Sequence, residues 1–131
     1  MAEVLIVDDQ PEACELLARL LRANGFATRC SPNGREALDA VINHTPDLIL
    51  LDLHMPQMDG VSLLQVLRAY LRWNSIPVLL VTALPREGPA VQRAQTAGVQ
   101  GVFIKGEYLL PDLLTRVREL TQHTKATGGA A

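Results

Sequence analysis

Leu48-Ile49-Leu50-Leu51-Asp52-Leu53-His54-Met55-Pro56-Gln57-Met58-Asp59-Gly60 is the stretch around which the rest of the chain can be organised. Its first four residues are an unbroken apolar run, the pattern of a short strand buried on both faces. The run stops at a carboxylate and meets a proline and an Asp-Gly pair, so a loop begins at Asp52. From Gly60 a helical stripe takes over. Leu63, Leu64, Leu67, Tyr70 and Leu71 recur at spacings of three and four, which predicts a helix over 60–73.

The same strand–loop–helix unit recurs on both sides. Val4-Leu5-Ile6-Val7 ends in Asp8-Asp9, and Pro11 then suits the first turn of a helix with Leu16, Leu17, Leu20 and Leu21 on one face and Gly25 as its cap. Residues 26–30 form a weaker strand. Asn33, followed three residues later by Glu36, resembles a capping box ahead of the stripe Ala37, Leu38, Val41 and Ile42. Pro77 opens a strand over 78–81 that ends at Thr82, and Pro85, Gly88 and Pro89 predict that the next helix begins late and is short. Val102-Phe103-Ile104 ends at Lys105, and Pro111 opens a last helix with Leu113, Leu114, Val117 and Leu120 inward. Five strand–helix pairs in alternation predict a doubly wound α/β domain, (βα)5, with a parallel sheet and right-handed crossovers. Residues 1–121 are expected to form that domain and residues 122–131 a flexible tail.

Composition narrows the function classes. At 131 residues the chain is sized for one domain, and 48% hydrophobic with 20% charged residues is ordinary for a globular protein. A net charge of -2 offers no basic field for nucleic acid or an anionic membrane. No apolar run approaches the roughly 20 residues of a membrane span. The start leads directly into a strand, so no targeting peptide is expected and a cytoplasmic setting is. Cys14 and Cys30 form no CxxC and are expected to be reduced, inert thiols. His44, His54 and His123 lack zinc-ligand spacing, and Arg19, Arg22, Arg68 and Arg72 are expected to be solvated on helix faces.

Open α/β sheets bind ligands at the carboxyl ends of their strands. Asp8, Asp9, Asp52, Thr82 and Lys105 all stand there, on strands otherwise built of apolar residues. Each has a plain alternative: Asp8 and Asp9 as helix caps, Asp52 as the start of a loop, Thr82 as a structural hydroxyl, Lys105 as a solvated charge. Together they describe a site. Carboxylates 4 Å apart repel by about 4 kcal/mol at an effective dielectric of 20, unless a proton or a cation sits among them. Hard oxygen ligands favour Mg²⁺, which binds one or two carboxylates together with waters and phosphate oxygens. Adding an ammonium and a hydroxyl gives a phosphoryl-transfer site in which a carboxylate can be the nucleophile.

These residues carry a family resemblance. V-D-D at 7–9, L-D-L-H-M-P-x-M-D-G at 51–60, V-T-A at 81–83, A-G-V at 97–99 and the strand-end Lys105 make the chain resemble a bacterial two-component response-regulator receiver domain over about residues 3–120. The resemblance implies a flavodoxin-like sheet of strand order 2-1-3-4-5 and a chemotaxis-regulator-like single domain. It implies that Asp52 accepts a phosphoryl group from a histidine kinase or phosphotransfer protein. Asp9, Asp52 and the backbone carbonyl of His54 would ligate Mg²⁺, with Asp8 positioning the metal and its waters. Lys105 would pair with the phosphoryl group, and Thr82 would move inward to bond one of its oxygens. The chain would catalyse only its own phosphorylation and dephosphorylation. With no effector segment after Leu120, its output would be a protein contact with an unknown target through the fourth helix, fifth strand and fifth helix. A monomer or a phosphorylation-dependent homodimer would serve, with no nucleic acid or membrane partner. Kinase docking would use the first helix and the loop after Lys105.

Three departures from the family pattern matter. The usual aromatic switch, three residues before the lysine, is Val102 here, and alternation points Phe103 to the other face. Gly106 replaces the usual proline after the lysine, which predicts a trans Lys105–Gly106 bond, because cis without proline costs about 2.5–4 kcal/mol. His54 and Leu84 occupy the positions that tune phosphorylation and dephosphorylation, and Leu84 should slow loss of the phosphoryl group. A phosphorylation-uncoupled interaction module on the same fold is the main alternative. An aspartate-nucleophile phosphatase lacks its second acidic residue, since His54 stands there. A flavin-binding relative is disfavoured by the acidic rim.

Overall fold

The computed structural model describes the backbone of residues 1–130 and the side chains of residues 1–122. Its elements alternate throughout: β1 Glu3–Val7, α1 Pro11–Ala23, β2 Ala27–Ser31, α2 Gly34–Asn43, β3 Leu48–Leu51, α3 Gly60–Ala69, β4 Val78–Thr82, α4 Pro89–Ala97, β5 Gly101–Ile104 and α5 Leu110–Ala130. The expected tail at 122–131 lies almost wholly outside the residues whose side chains are described. The five strands are parallel in the order β2-β1-β3-β4-β5, the doubly wound arrangement expected.

Strand alternation divides the core into two layers. Leu5, Val7, Ile49, Leu51, Val78 and Leu80 pack against α2, α3 and α4, whereas Val4, Ile6, Leu48, Leu50, Leu79 and Val81 pack against α1 and α5. The central strands β1, β3 and β4 are buried on both faces, as their unbroken apolar runs require. Asn33 caps α2 by accepting from the Glu36 N–H at 2.8 Å, and its amide donates to the Glu36 carboxylate at 3.0 Å. Pro89 sets a late start for α4, which runs only nine residues.

Several boundaries differ from the sequence reading. The helix predicted over 60–73 stops at Ala69, because Tyr70 takes up extended backbone. Tyr70 and Leu71, expected inward, are 53% and 90% exposed, while Trp73 folds back and is buried. Arg68, expected to be solvated, braces this turn instead. Its guanidinium donates to the carbonyls of Gly98, Asn74 and Ile76 at 3.1, 3.2 and 2.9 Å. Leu16 and Ile42 belong to helical stripes yet remain largely exposed, and β2 begins at Ala27 rather than Phe26.

Candidate functional site

Ladder register brings the site together. Val7 is level with Leu51, and the Asp52 N–H donates to the Val7 carbonyl at 2.9 Å, so Asp8 and Asp52 leave neighbouring strands at the same height. Thr82 is level with Ile104, and the Lys105 N–H donates to the Thr82 carbonyl at 2.8 Å. By alternation Lys105 falls on the same face as Phe103, toward α1 and α5, where Asp8 and Asp52 also point. The outcome is direct contact: Lys105 Nζ donates to Asp8 Oδ2 at 2.7 Å and to Asp52 Oδ2 at 3.1 Å. Asp8 and Asp52 are 4% and 6% exposed, so these are partly dehydrated ion pairs.

Backbone donors complete the pairing of both buried carboxylates. Asp8 Oδ1 accepts from the Gln10 N–H at 2.9 Å, and Asp52 Oδ1 accepts from the His54 N–H at 3.2 Å. Asp9 is exposed, yet one oxygen each of Asp8, Asp9 and Asp52 lie within 4.8 Å of one another. One ammonium, bonded to two of the three carboxylates, thus leaves the cluster net negative. The donor set is all hard oxygen with excess negative charge, which suits Mg²⁺. Replacing Asp9 with asparagine is therefore expected to raise the melting temperature of the metal-free protein, since the relieved repulsion exceeds the lost solvation of an exposed group. Mg²⁺ is expected to raise the melting temperature of the wild type, and the substitution to abolish that rise. Calorimetry with and without Mg²⁺ checks both.

The remaining predicted residues are placed differently from one another. Thr82 is fully buried, and its hydroxyl accepts from the Leu84 N–H at 3.2 Å, a local bond that ties it to the following loop. The His54 side chain is exposed. Leu84 is half-buried against the α2–α3–α4 layer, as is Val102. Phe103 faces the opposite layer, where its ring meets Tyr108 edge-on with centroids 5.5 Å apart. The Lys105–Gly106 bond is trans, and Gly106 has φ of +83°, a conformation that suits glycine and is closed to proline.

The sequence reading passes over Tyr108 and takes Arg68 for a solvated charge. Tyr108 lines a cavity of about 330 Å³ beside Lys105, together with Asp8, Leu16, Leu17 and Leu110. Its signal was there, in an aromatic three residues past the strand-end lysine. Arg68 left no comparable trace, because its partners are backbone carbonyls distant in sequence.

Burial pulls the Lys105 ammonium down, but its hydrogen bonds and charge attraction to Asp8 and Asp52 outweigh that and leave its pKa above the ordinary lysine value. Burial pushes the Tyr108 phenol up against the opposing charge of Lys105. Burial and the neighbouring Cys30 thiol push Cys14 up as well. All three have one sign: the stability they add is complete below their ordinary values and is lost as pH rises toward their folded ones. The urea midpoint is expected to fall as pH climbs from 9.0, the ordinary thiol value, past 10.5, the ordinary lysine value. Lys105→Met should remove the upper part of that slope.

A parallel α/β sheet with an acidic cluster and a bridging lysine at its carboxyl edge defines a class, and sequence comparison agrees. A family model described as the response regulator receiver domain matches residues 4–118, and the chain belongs to that family. Response regulator MprA of Mycolicibacterium vanbaalenii is 32% identical over 127 residues, covering 97% of this chain and 53% of the relative. Transcriptional regulatory protein PrrA of Mycobacterium tuberculosis is 35% identical over 124 residues, covering 95% of this chain and 52% of the relative. The chain therefore spans about half the length of the curated relatives it matches. Among solved structures, the signal receiver domain of a signal transduction histidine kinase from Syntrophus aciditrophicus superposes with a TM-score of 0.87 at 34% identity, covering 95% of this chain and 93% of that one. The BeF3-activated N-terminal receiver domain of RstA from Klebsiella pneumoniae gives 0.81 at 28% identity, covering 91% and 97%. Among the described residues no helix is long and apolar enough to cross a membrane.

Proposed function

We propose that this receiver accepts a phosphoryl group on Asp52 from a histidine kinase or phosphotransfer protein in the cytoplasm, and that the modified domain signals by changing its protein contacts. The observation that carries the reading is the Lys105 ammonium held between Asp8 and Asp52 beside a third carboxylate. An Asp52 carboxylate oxygen attacks phosphorus in line, and the bond to the donor histidine breaks. Lys105 then turns from the carboxylates to an equatorial phosphoryl oxygen, a contact that gains strength as charge develops there. Asp8, Asp9, Asp52 and the His54 backbone carbonyl would hold Mg²⁺, which supplies positive charge against the phosphoryl oxygens when bound. Thr82 exchanges its Leu84 bond for a phosphoryl oxygen, and the loop to α4 follows. The chain acts as catalyst only on itself.

The exposed leucines Leu16 and Leu110 line the cavity beside Lys105 and offer the donor protein an apolar contact next to the reacting carboxylate. Leu84, packed beside Thr82, limits water, so dephosphorylation is slow to moderate; loss within seconds without a phosphatase would contradict this. The output face is α4–β5–α5. Its target is a protein, a further part of the same polypeptide, or a second copy of the chain.

A second reading, a receiver uncoupled from phosphorylation, is favoured by one observation: Phe103 packs on Tyr108 in the α1–α5 layer, while the small Val102 stands on the α2–α3–α4 side. Beryllofluoride, a mimic of the phosphoryl group on a carboxylate, separates the two. With Mg²⁺ it is expected to bind the wild type and not Asp52→Asn, and to shift the amide resonances of Thr82, Leu84 and α4. Binding that leaves the α4–β5–α5 amides unmoved would establish the uncoupled module, and no binding to the folded protein would overturn the phosphoacceptor reading.

A further inference from the structure

The two cysteines lie together. Cys14, on the first turns of α1, is buried and its thiol rests on the Ile6 carbonyl with Sγ 3.6 Å away. Cys30, on the edge strand β2, is the ladder partner of that same Ile6 and is exposed. Ladder partners on parallel strands present side chains to the same face, and Ile6 belongs to the α1–α5 layer, so Cys30 points toward α1. Both thiols also line one cavity of about 230 Å³, shared with Asp8, Asp9 and Pro11. Three observations therefore place two residues 16 apart in sequence at one spot, against the rim of the acidic site.

We propose that Cys14 and Cys30 form a dithiol modification site, oxidised by hydroperoxides to an intramolecular disulfide beside the acidic pocket. The two thiols differ in a way that orders the reaction. Cys30 is open to solvent, whereas burial and the Cys30 neighbour hold the Cys14 thiol protonated well above the ordinary range. Hydrogen peroxide therefore meets Cys30 first: its thiolate sulfur attacks one peroxide oxygen, the O–O bond breaks, and a sulfenic acid and hydroxide result, the latter leaving as water. Cys14 Sγ then attacks the Cys30 sulfur, the S–O bond breaks, and the departing hydroxide takes the Cys14 proton as a second water. In sum two thiols and one peroxide give one disulfide and two waters; the sulfurs lose two electrons and the peroxide oxygens gain them. The cavity between α1 and β2 gives the sulfurs room to close to the roughly 2.05 Å of a disulfide.

The bridge would tie the first turns of α1 to the end of β2, across the loop that carries Asp8 and Asp9. The test treats the protein with hydrogen peroxide, blocks residual thiols after unfolding without reductant, and maps the peptides by mass. The expected result is a monomer that has lost two hydrogens and both free thiols, with the peptides of Cys14 and Cys30 joined, fully restored by dithiothreitol. Cys30→Ser, which changes only an exposed side chain, should retain one unmodified thiol, Cys14, under the same treatment. Disulfide-linked dimers through Cys30 with Cys14 still free, or Cys30 carried to sulfinic acid without a bridge, would overturn the proposal. Mg²⁺-dependent beryllofluoride binding by the reduced protein is measured alongside, so that failure of the thiol site and failure of the phosphoacceptor site are read separately.

Discussion

Lys105→Met is expected to slow phosphoryl acceptance from acetyl phosphate by about 10²–10³-fold, the usual cost of removing one aimed donor from a transition state that gathers negative charge. The substitution keeps an unbranched apolar stem, one atom shorter, beside Tyr108 while deleting the charge. In the resting protein the ammonium satisfies two carboxylates that are almost wholly buried, so its loss leaves Asp8 and Asp52 facing each other uncompensated. The variant should consequently depend more steeply on Mg²⁺ for stability than the wild type, because the cation becomes the main source of positive charge there. Quench-flow phosphorylation gives the rate, and thermal melts over a Mg²⁺ series give the stability. A rate within threefold of wild type would show that Lys105 is only a structural counter-ion.

Gly60→Ala is expected to cost about 3 kcal/mol, at the upper end of what overpacking usually does. A Cβ at this position would stand 2.6 Å from the Asp52 carbonyl oxygen and 2.7 Å from Leu53 Cα. Both are backbone atoms and cannot rotate aside. The Gly60 N–H also donates to the Leu53 carbonyl at 3.1 Å, so helix α3 begins in close contact with the peptide that follows Asp52. Relief of the clash must move either α3 or Asp52. A drop in melting temperature of about 10 °C follows from the size of the chain, accompanied by weaker Mg²⁺ binding as Asp52 shifts. A melting temperature unchanged by the substitution would mean that the loop over 53–59 adjusts freely, contrary to the packing described.

How much of this was legible in the sequence depends on what kind of signal each residue leaves. Asp8, Asp52 and Lys105 each end an apolar run, and runs in a parallel sheet end at a common edge, so their convergence could be read without coordinates. The two contacts of the ammonium could not, because they depend on ladder register, which fixes Val7 level with Leu51. Thr82 shows the limit from the other side: its position at the edge was legible, but its hydroxyl is engaged with the Leu84 N–H. Periodicity identified the inward face of α3 at Leu63, Leu64 and Leu67 and then ran past the true end of the helix. Nothing local marks Tyr70 as the exit; the turn is braced by Arg68 through carbonyls up to thirty residues away. Leu16 and Ile42 fit their helical stripes yet lie beyond the covering surface, since a stripe specifies a direction and not how far the sheet extends beneath it. The neighbouring thiols were invisible for a similar reason, as only the pairing of β1 with β2 carries Cys30 to the foot of α1.

As the proposed acceptor, Asp52 would carry the phosphoryl group. Borohydride reduction of the protein after treatment with acetyl phosphate and Mg²⁺ converts an aspartyl phosphate to homoserine at the residue that bore it. Peptide mass mapping is predicted to find homoserine at position 52 in the wild type, and none in protein treated without Mg²⁺. Homoserine at Asp8 or Asp9 in place of Asp52, or none anywhere in a folded protein shown to bind Mg²⁺, would contradict the account.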